Sequence, residues 1–308
     1  MLALTGLGAA LLMLPNAVLP ALPTAQPETT YAVDRTTAAD PRVADIQRII
    51  EPFGPIVVRA VPTGDGQESL LVGHPSQRDD IDILERELAP AIDAVTEVLG
   101  PEWAQSALVV VASSPSEFAG LLRTSTLVPA EVAAASVADP FTPGTEPTGQ
   151  RVVFSPDAGQ RLGPDGMATL LRHELTHLAT RARTVDGAPL WMLEGFADYT
   201  AHHGRGRRFA DIAPTVAAHT HSGDIPHGFP DDTDFSGPDA AFAYEKAWSI
   251  CAFIAGKYSR AHLVQLYERI AAAEQDAGTE DLILREVLGT TRSDFIAGWR
   301  AWLDTRTA

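Results

Sequence analysis

Leu170–Leu178, read as LLRHELTHL, restricts the fold more tightly than any other stretch of the 308-residue chain. His173 and His177 lie four residues apart, which on a helix is about 400° of rotation. Both imidazoles therefore leave one helical face within about one turn and can meet a single ion. Glu174 sits beside the first imidazole, placed to reach a water near that ion without ligating it. Leu170, Leu171, Leu175 and Leu178 supply the apolar side chains that bury the remainder of the helix.

A zinc ion of the catalytic kind takes a third protein ligand and keeps one position open. The spacing predicts a helix ending near Arg183, a turn at Asp186-Gly187, and a second helix from about Leu190, with Pro189 tolerated at its start. That helix carries Glu194 among Trp191, Met192, Leu193 and Phe196, apolar company in which an unpaired carboxylate is costly. Asp198 follows one turn later, either as the hydrogen-bond partner of a ligand histidine or as an exposed helix charge.

Composition narrows the rest. The net charge of −17, from 23 Lys+Arg against 40 Asp+Glu, repels nucleic acid and offers no broad basic patch to anionic lipid. Cys251 is the only cysteine, so intrachain disulfides and cysteine zinc sites are excluded. Any metal must be held by His, Asp or Glu.

HELTH followed by WMLEGFADY resembles the gluzincin metallopeptidases, which include thermolysin and the aminopeptidase N relatives, and most closely the bacterial peptidase MA-like proteins. The resemblance is strongest over Leu170–Tyr199 and weaker from about Asp80 to the end. It implies one zinc ion held by His173, His177 and Glu194, with Glu174 as general base, acting on a peptide or protein substrate. It also implies a zincin-like α+β fold: a mixed twisted sheet packed on the motif helix, plus a C-terminal helical lobe. Metzincins differ, because their pattern wants Gly and His where this chain has Thr180 and Arg183. AYEKAW at Ala243–Trp248 is similar to the aminopeptidase segment whose tyrosine stabilises the tetrahedral intermediate, which maps that role onto Tyr244.

The chain also departs from the family. Sixteen residues separate His177 from Glu194, fewer than in thermolysin or the aminopeptidases, and Leu193 replaces the usual Asn before the ligand Glu. A Gly-x-Met-Glu-Asn segment is missing upstream, so cleavage from the amino terminus has no support. Two other functions remain open: an inactive zincin-fold module binding cell-envelope partners, and a zinc amidohydrolase acting on a non-protein amide.

The organisation expected around this motif has three parts. Residues 1–27 carry no charge and open on the apolar run Met1–Pro15, which reads as a signal peptide or membrane anchor delivering the protein outside the cytoplasm; a buried helix is the alternative. Residues 28–79 hold a Pro-rich linker and a small α/β segment. Residues 80–308 form the metallopeptidase domain, with a sheet lobe over about 80–163 and a helical lobe over about 164–308.

Strands are expected at Ile56–Val61, Ser69–Val72, Ala107–Ala112 and Arg151–Phe154, and a helix across Asp80–Leu99. Either Val132–Ala138 or Arg151–Phe154 is the edge strand that pairs with an extended peptide. Near the end, Thr291 and Asp294 are spaced as a capping box ahead of Phe295, Ile296, Trp299 and Leu303. Asp139–Gln150 and Ser222–Asp239 read as loops. The loop residues Asp231, Asp232 and Asp234 lack the calcium-loop pattern and read as solvated carboxylates. His202, His203, His219, His221 and His227 form either a second metal site or, as favoured here, solvated side chains.

Overall fold

The computed structural model describes residues 40–125, 128–142 and 144–307. The apolar opening at 1–27 and the Pro-rich linker after it lie outside the described residues. Among the described residues no helix is long and apolar enough to cross a membrane.

The first half is a sheet with helices on both faces. It comprises α1 (Pro41–Ile50), β1 (Val57–Pro62), β2 (Glu68–Gly73), α2 (Arg78–Leu99), β3 (Leu108–Val111), α3 (Pro115–Leu121), β4 (Ala134–Val137) and β5 (Arg151–Phe154). The strand order is β1-β2-β3-β5-β4. The central pairs β2/β3 and β3/β5 are parallel, while β1/β2 and β4/β5 are antiparallel. Alternation along the strands sorts the side chains by face. Leu71, Val109, Val111, Val152 and Phe154 pack towards α2 and the motif helix. Leu70, Val72, Leu108, Val110 and Val153 pack towards α1 and α3.

The strand readings survive with shifts of a residue or two. The sheet also reaches back across position 80: β1 and β2, from the expected small N-terminal segment, pair into the same sheet as β3 and β5. Of the two candidate edge strands, β4 within Val132–Ala138 is at the edge. Arg151–Phe154 is not, because β5 lies between β3 and β4 with all four residues buried.

The second half is helical: α4 (Ala158–Thr180), α5 (Leu190–His202), α6 (Phe209–Ile212), α7 (Pro214–His221), α8 (Ala240–Lys257), α9 (Arg260–Ile270), α10 (Ala277–Leu288) and α11 (Arg292–Thr307). Its core joins Met192, Phe196, Ile250, Phe253, Leu266, Tyr267, Phe295 and Trp299. The N-terminus of α11 is capped as expected, with Asp294 N–H donating to Thr291 Oγ1 at 3.0 Å.

The motif helix α4 ties the halves together. Gly163, at φ 64°, and Pro164 break it near its start, leaving an uninterrupted stretch through Thr180. Met167, Leu170, Leu171 and Leu175 pack on the sheet and on Leu84, Leu88 and Ile92 of α2. Burying each leucine is worth about 1.5–3 kcal/mol relative to exposure, so this face fixes the roll of the helix and hence where its histidines point.

Candidate metal centre

The path from α4 to α5 runs as the turn signals require. A short 3-10 segment, Arg181–Arg183, follows α4, and Gly187 at φ 84° makes the reversal that a side chain with a Cβ would resist. Pro189 stands just before the first residue of α5. The freed N–H of Leu190 donates to Asp232 Oδ1 at 2.9 Å. Asp232, read from sequence as a solvated carboxylate, is thus a helix cap reaching in from a distant loop. Asp231 and Asp234 close the short 3-10 turn around it. No local pattern announces a cap supplied from so far along the chain.

At the crossing of α5 and α8 the backbones nearly touch. A Cβ on Gly195 would lie 2.5 Å from the Ala247 carbonyl oxygen, so only glycine permits this approach. The approach brings Tyr244 of α8 close to the carboxylates of α5.

Three side chains converge where α4 meets α5. His173, His177 and Glu194 are all buried, and among the described residues they form the group whose ligand atoms can share a metal ion. The Nε2 atoms of His173 and His177 lie 3.0 Å apart, with the rings edge to face. Glu194 Oε2 lies 3.3 Å from His173 Nε2 and 3.7 Å from His177 Nε2. Behind this group, His173 donates from Nδ1 to Asp198 Oδ1 at 2.8 Å, which turns its Nε2 lone pair towards Glu194 when the ring is neutral.

The donor set fits a cation. Both Glu194 oxygens are buried without a hydrogen-bond partner. A buried carboxylate left that way costs several kcal/mol, roughly, unless positive charge compensates it. Burial pushes the Glu194 carboxyl up, but the His177 and His173 imidazoles outweigh it and hold its pKa at about 2. Burial likewise opposes protonation of His173, and the Asp198 and Glu194 carboxylates overcome it, raising its pKa. Two imidazole nitrogens and one carboxylate oxygen match the two-histidine, one-glutamate set that catalytic zinc uses.

Glu174 is 2% exposed and faces the same group from α4. Burial raises its pKa above the ordinary carboxylate value, while the two imidazoles pull the other way. Tyr244 is also buried; burial, followed by the carboxylates of Glu194, Asp198 and Glu174, pushes its hydroxyl up, so it stays protonated across the physiological range. The Phe235 ring packs edge to face on it at 5.1 Å.

The remaining histidines do not join the group. His203 contacts Glu97 at 3.2 Å, His219 contacts Asp224 at 2.9 Å, and Arg300 lies 2.9 Å from His227.

No family model matches the chain, and no curated protein matches it in sequence. Seventeen solved chains match its structure. They include the M1 zinc metallopeptidase from Deinococcus radiodurans, at 17% identity and TM-score 0.45, covering 83% of this chain and 53% of that one. A mutant of the Deinococcus radiodurans enzyme bound to a Tyr-Ser-Ala substrate matches at 16% identity and TM-score 0.44, again covering 83% and 53%. A two-domain M1 zinc metallopeptidase mutant bound to L-arginine matches at 15% identity and TM-score 0.44, covering 82% and 53%. The chain therefore spans about half the length of these structures.

Proposed function

We propose that the protein is a zinc-dependent peptidase of the gluzincin type, in which His173, His177 and Glu194 hold one zinc ion. The observation that carries this reading is the convergence of two imidazole nitrogens on a buried carboxylate with no hydrogen-bond partner of its own. Zinc bound there would supply a Lewis acid that polarises a substrate carbonyl and acidifies water at neutral pH.

The chain's own residues then have distinct tasks. Glu174 takes a proton from the attacking water and later gives it to the leaving amine; its raised pKa suits both directions of transfer. Tyr244, held protonated by its surroundings, donates a hydrogen bond to the oxygen on which negative charge develops. Asp198 holds the His173 ring in one tautomer and one orientation. The outer edge of β4 aligns an extended peptide by backbone hydrogen bonds, as exposed sheet edges do. Delivery outside the cytoplasm by the apolar opening completes the proposal, with polypeptides there as the substrate class.

Hydrolysis of a quenched-fluorescent peptide library tests the chemistry. Turnover is expected to be abolished by a zinc chelator and restored by zinc. Glu174→Ala is expected to lower kcat about 10²–10⁴-fold with zinc still bound, and Tyr244→Phe about 10²–10³-fold. Unchanged turnover in Glu174→Ala would remove this mechanism.

A further inference from the structure

Residues 229–235 form a strap between the helix that carries Glu194 and the helix that carries Tyr244. At its start Phe229 packs on Trp191 of α5, with ring centroids 4.4 Å apart, and meets Phe295 of α11 edge to face at 5.6 Å. In its middle Asp232 Oδ1 accepts from the Leu190 N–H at 2.9 Å, about one turn ahead of Glu194. At its end the strap reaches α8. Asp234 Oδ2 lies 3.7 Å from Lys246 Nζ, and the Phe235 ring meets the Tyr244 ring at 5.1 Å with the planes 84° apart.

The helix that bears Tyr244 constrains its ring only weakly. A helical side chain leans back over the turn before it, here over Ala240 and Ala241, which offer one methyl each. The close approach of Gly195 to Ala247 lies about one turn further along, so it fixes the axis of α8 rather than the position of the tyrosine ring. Phe235 touches the ring itself. An edge-to-face aromatic pair is worth about twofold to tenfold in an equilibrium between ring positions. A hydroxyl that donates to a developing negative charge acts only at hydrogen-bond distance from it, so ring position governs turnover more than affinity.

We infer that Phe235 is a positioning residue, whose ring, held by the strap, keeps the Tyr244 phenol aimed at the oxygen on which charge develops during peptide hydrolysis. The inference rests on the role given to Tyr244 under the proposed function. The strap also ties that aim to α5, because the same loop caps the helix that carries Glu194. Tyrosine and ligand carboxylate are thereby referred to one short segment of chain.

The experiment uses the zinc-loaded full chain on a peptide substrate, with Phe235→Ala, Phe235→Tyr, Tyr244→Phe and the Phe235→Ala/Tyr244→Phe double variant. Phe235→Ala is expected to lower kcat about tenfold with KM within about twofold. Phe235→Tyr, which keeps a ring at this partly exposed position, is expected to recover most of the loss. In the Tyr244→Phe background, Phe235→Ala is expected to change kcat less than about twofold, because no hydroxyl remains to be aimed. A second readout needs no activity. In the metal-free protein, Phe235→Ala is expected to shift the unfolding equilibrium at least about twofold more with Tyr244 present than in a Tyr244→Ala background. An equal loss of kcat with and without the Tyr244 hydroxyl would reduce Phe235 to a packing residue and overturn the inference. So would an unchanged kcat in Phe235→Ala, a loss confined to KM, no recovery with tyrosine, or equal unfolding shifts. Full turnover in Tyr244→Phe would overturn the role of Tyr244 and the inference with it, whereas the inference alone fails where Tyr244→Phe loses turnover and Phe235→Ala does not.

Discussion

Among the described residues, two buried His–Glu clusters occur, one on each side of the sheet, and they differ in whether their polar atoms are paired. On the α3 side, His74 Nε2 lies 2.7 Å from Glu117 Oε1, and His74 Nδ1 lies 2.8 Å from the Pro55 carbonyl. The other Glu117 oxygen accepts from Ser113 N–H at 2.7 Å and from Ser113 Oγ at 2.6 Å. On the α4 side, both Glu194 oxygens lack a hydrogen-bond partner while two imidazole nitrogens face them. Burial and residue type are shared by the two, so neither identifies a site. The unmet bonding capacity does: the first cluster is complete as protein, and the second holds a buried carboxylate whose oxygens a cation would satisfy.

The sharpest way to break this contrast is to remove one partner from the complete cluster. Glu117→Ala leaves the buried His74 without its carboxylate and is expected to lower unfolding stability by about 3–5 kcal/mol in chemical denaturation. Zinc stoichiometry and peptide turnover of the folded fraction are expected to stay unchanged. A loss of zinc in this variant would mean that the two clusters are not independent.

A smaller effect is expected from the carboxylate behind the metal group. Asp198→Ala removes the acceptor of His173 Nδ1, and is expected to weaken zinc affinity about 10–100-fold in competition with a chelating indicator. Undiminished affinity would reduce Asp198 to a helix charge that merely lies near the ring.

The weakest effect separates the clusters by pH. The hydrogen bond that His74 donates to Glu117 outweighs burial and raises the His74 pKa above 6.5, so its stabilisation is full below 6.5 and declines as pH rises through the raised value. Burial pushes Glu117 up, but His74 and Ser113 outweigh it and bring it below 4.5, so its contribution is present above 4.5 and declines as pH falls through the lowered value. The stability difference between the wild type and His74→Gln, followed by denaturation of the metal-free protein, is therefore expected to be largest between pH 4.5 and 6.5 and to shrink on both sides. A difference that does not vary with pH would mean that the pair carries no charge.

Much of the α4 cluster was legible from spacing alone. The interval between His173 and His177, the Asp186-Gly187 turn and the start of α5 at Leu190 are local signals, and each is set by backbone geometry within a few residues. Glu194 and Asp198 follow from the same helix once its start is known. What spacing could not supply are the contacts between segments far apart in the chain. Asp232 caps α5 from a loop that composition marks only as polar. The close approach of α5 and α8 at Gly195 reads in sequence as an ordinary helix glycine. The other cluster was also invisible, because His74 and Glu117 belong to no recurring spacing and meet only when α3 packs over the end of β2. The helices α1 and α3 are too short, at 10 and 7 residues, for periodicity to stand out.

The central claim is that His173, His177 and Glu194 complete their bonding with one divalent ion. Elemental analysis and equilibrium zinc titration of the purified wild type, beside Glu194→Ala, test it most directly. The expected result is one zinc per chain in the wild type, lost or weakened by at least about a hundredfold in Glu194→Ala. A wild type that binds no zinc at micromolar concentration, or a Glu194→Ala variant that binds it equally well, would contradict the assignment.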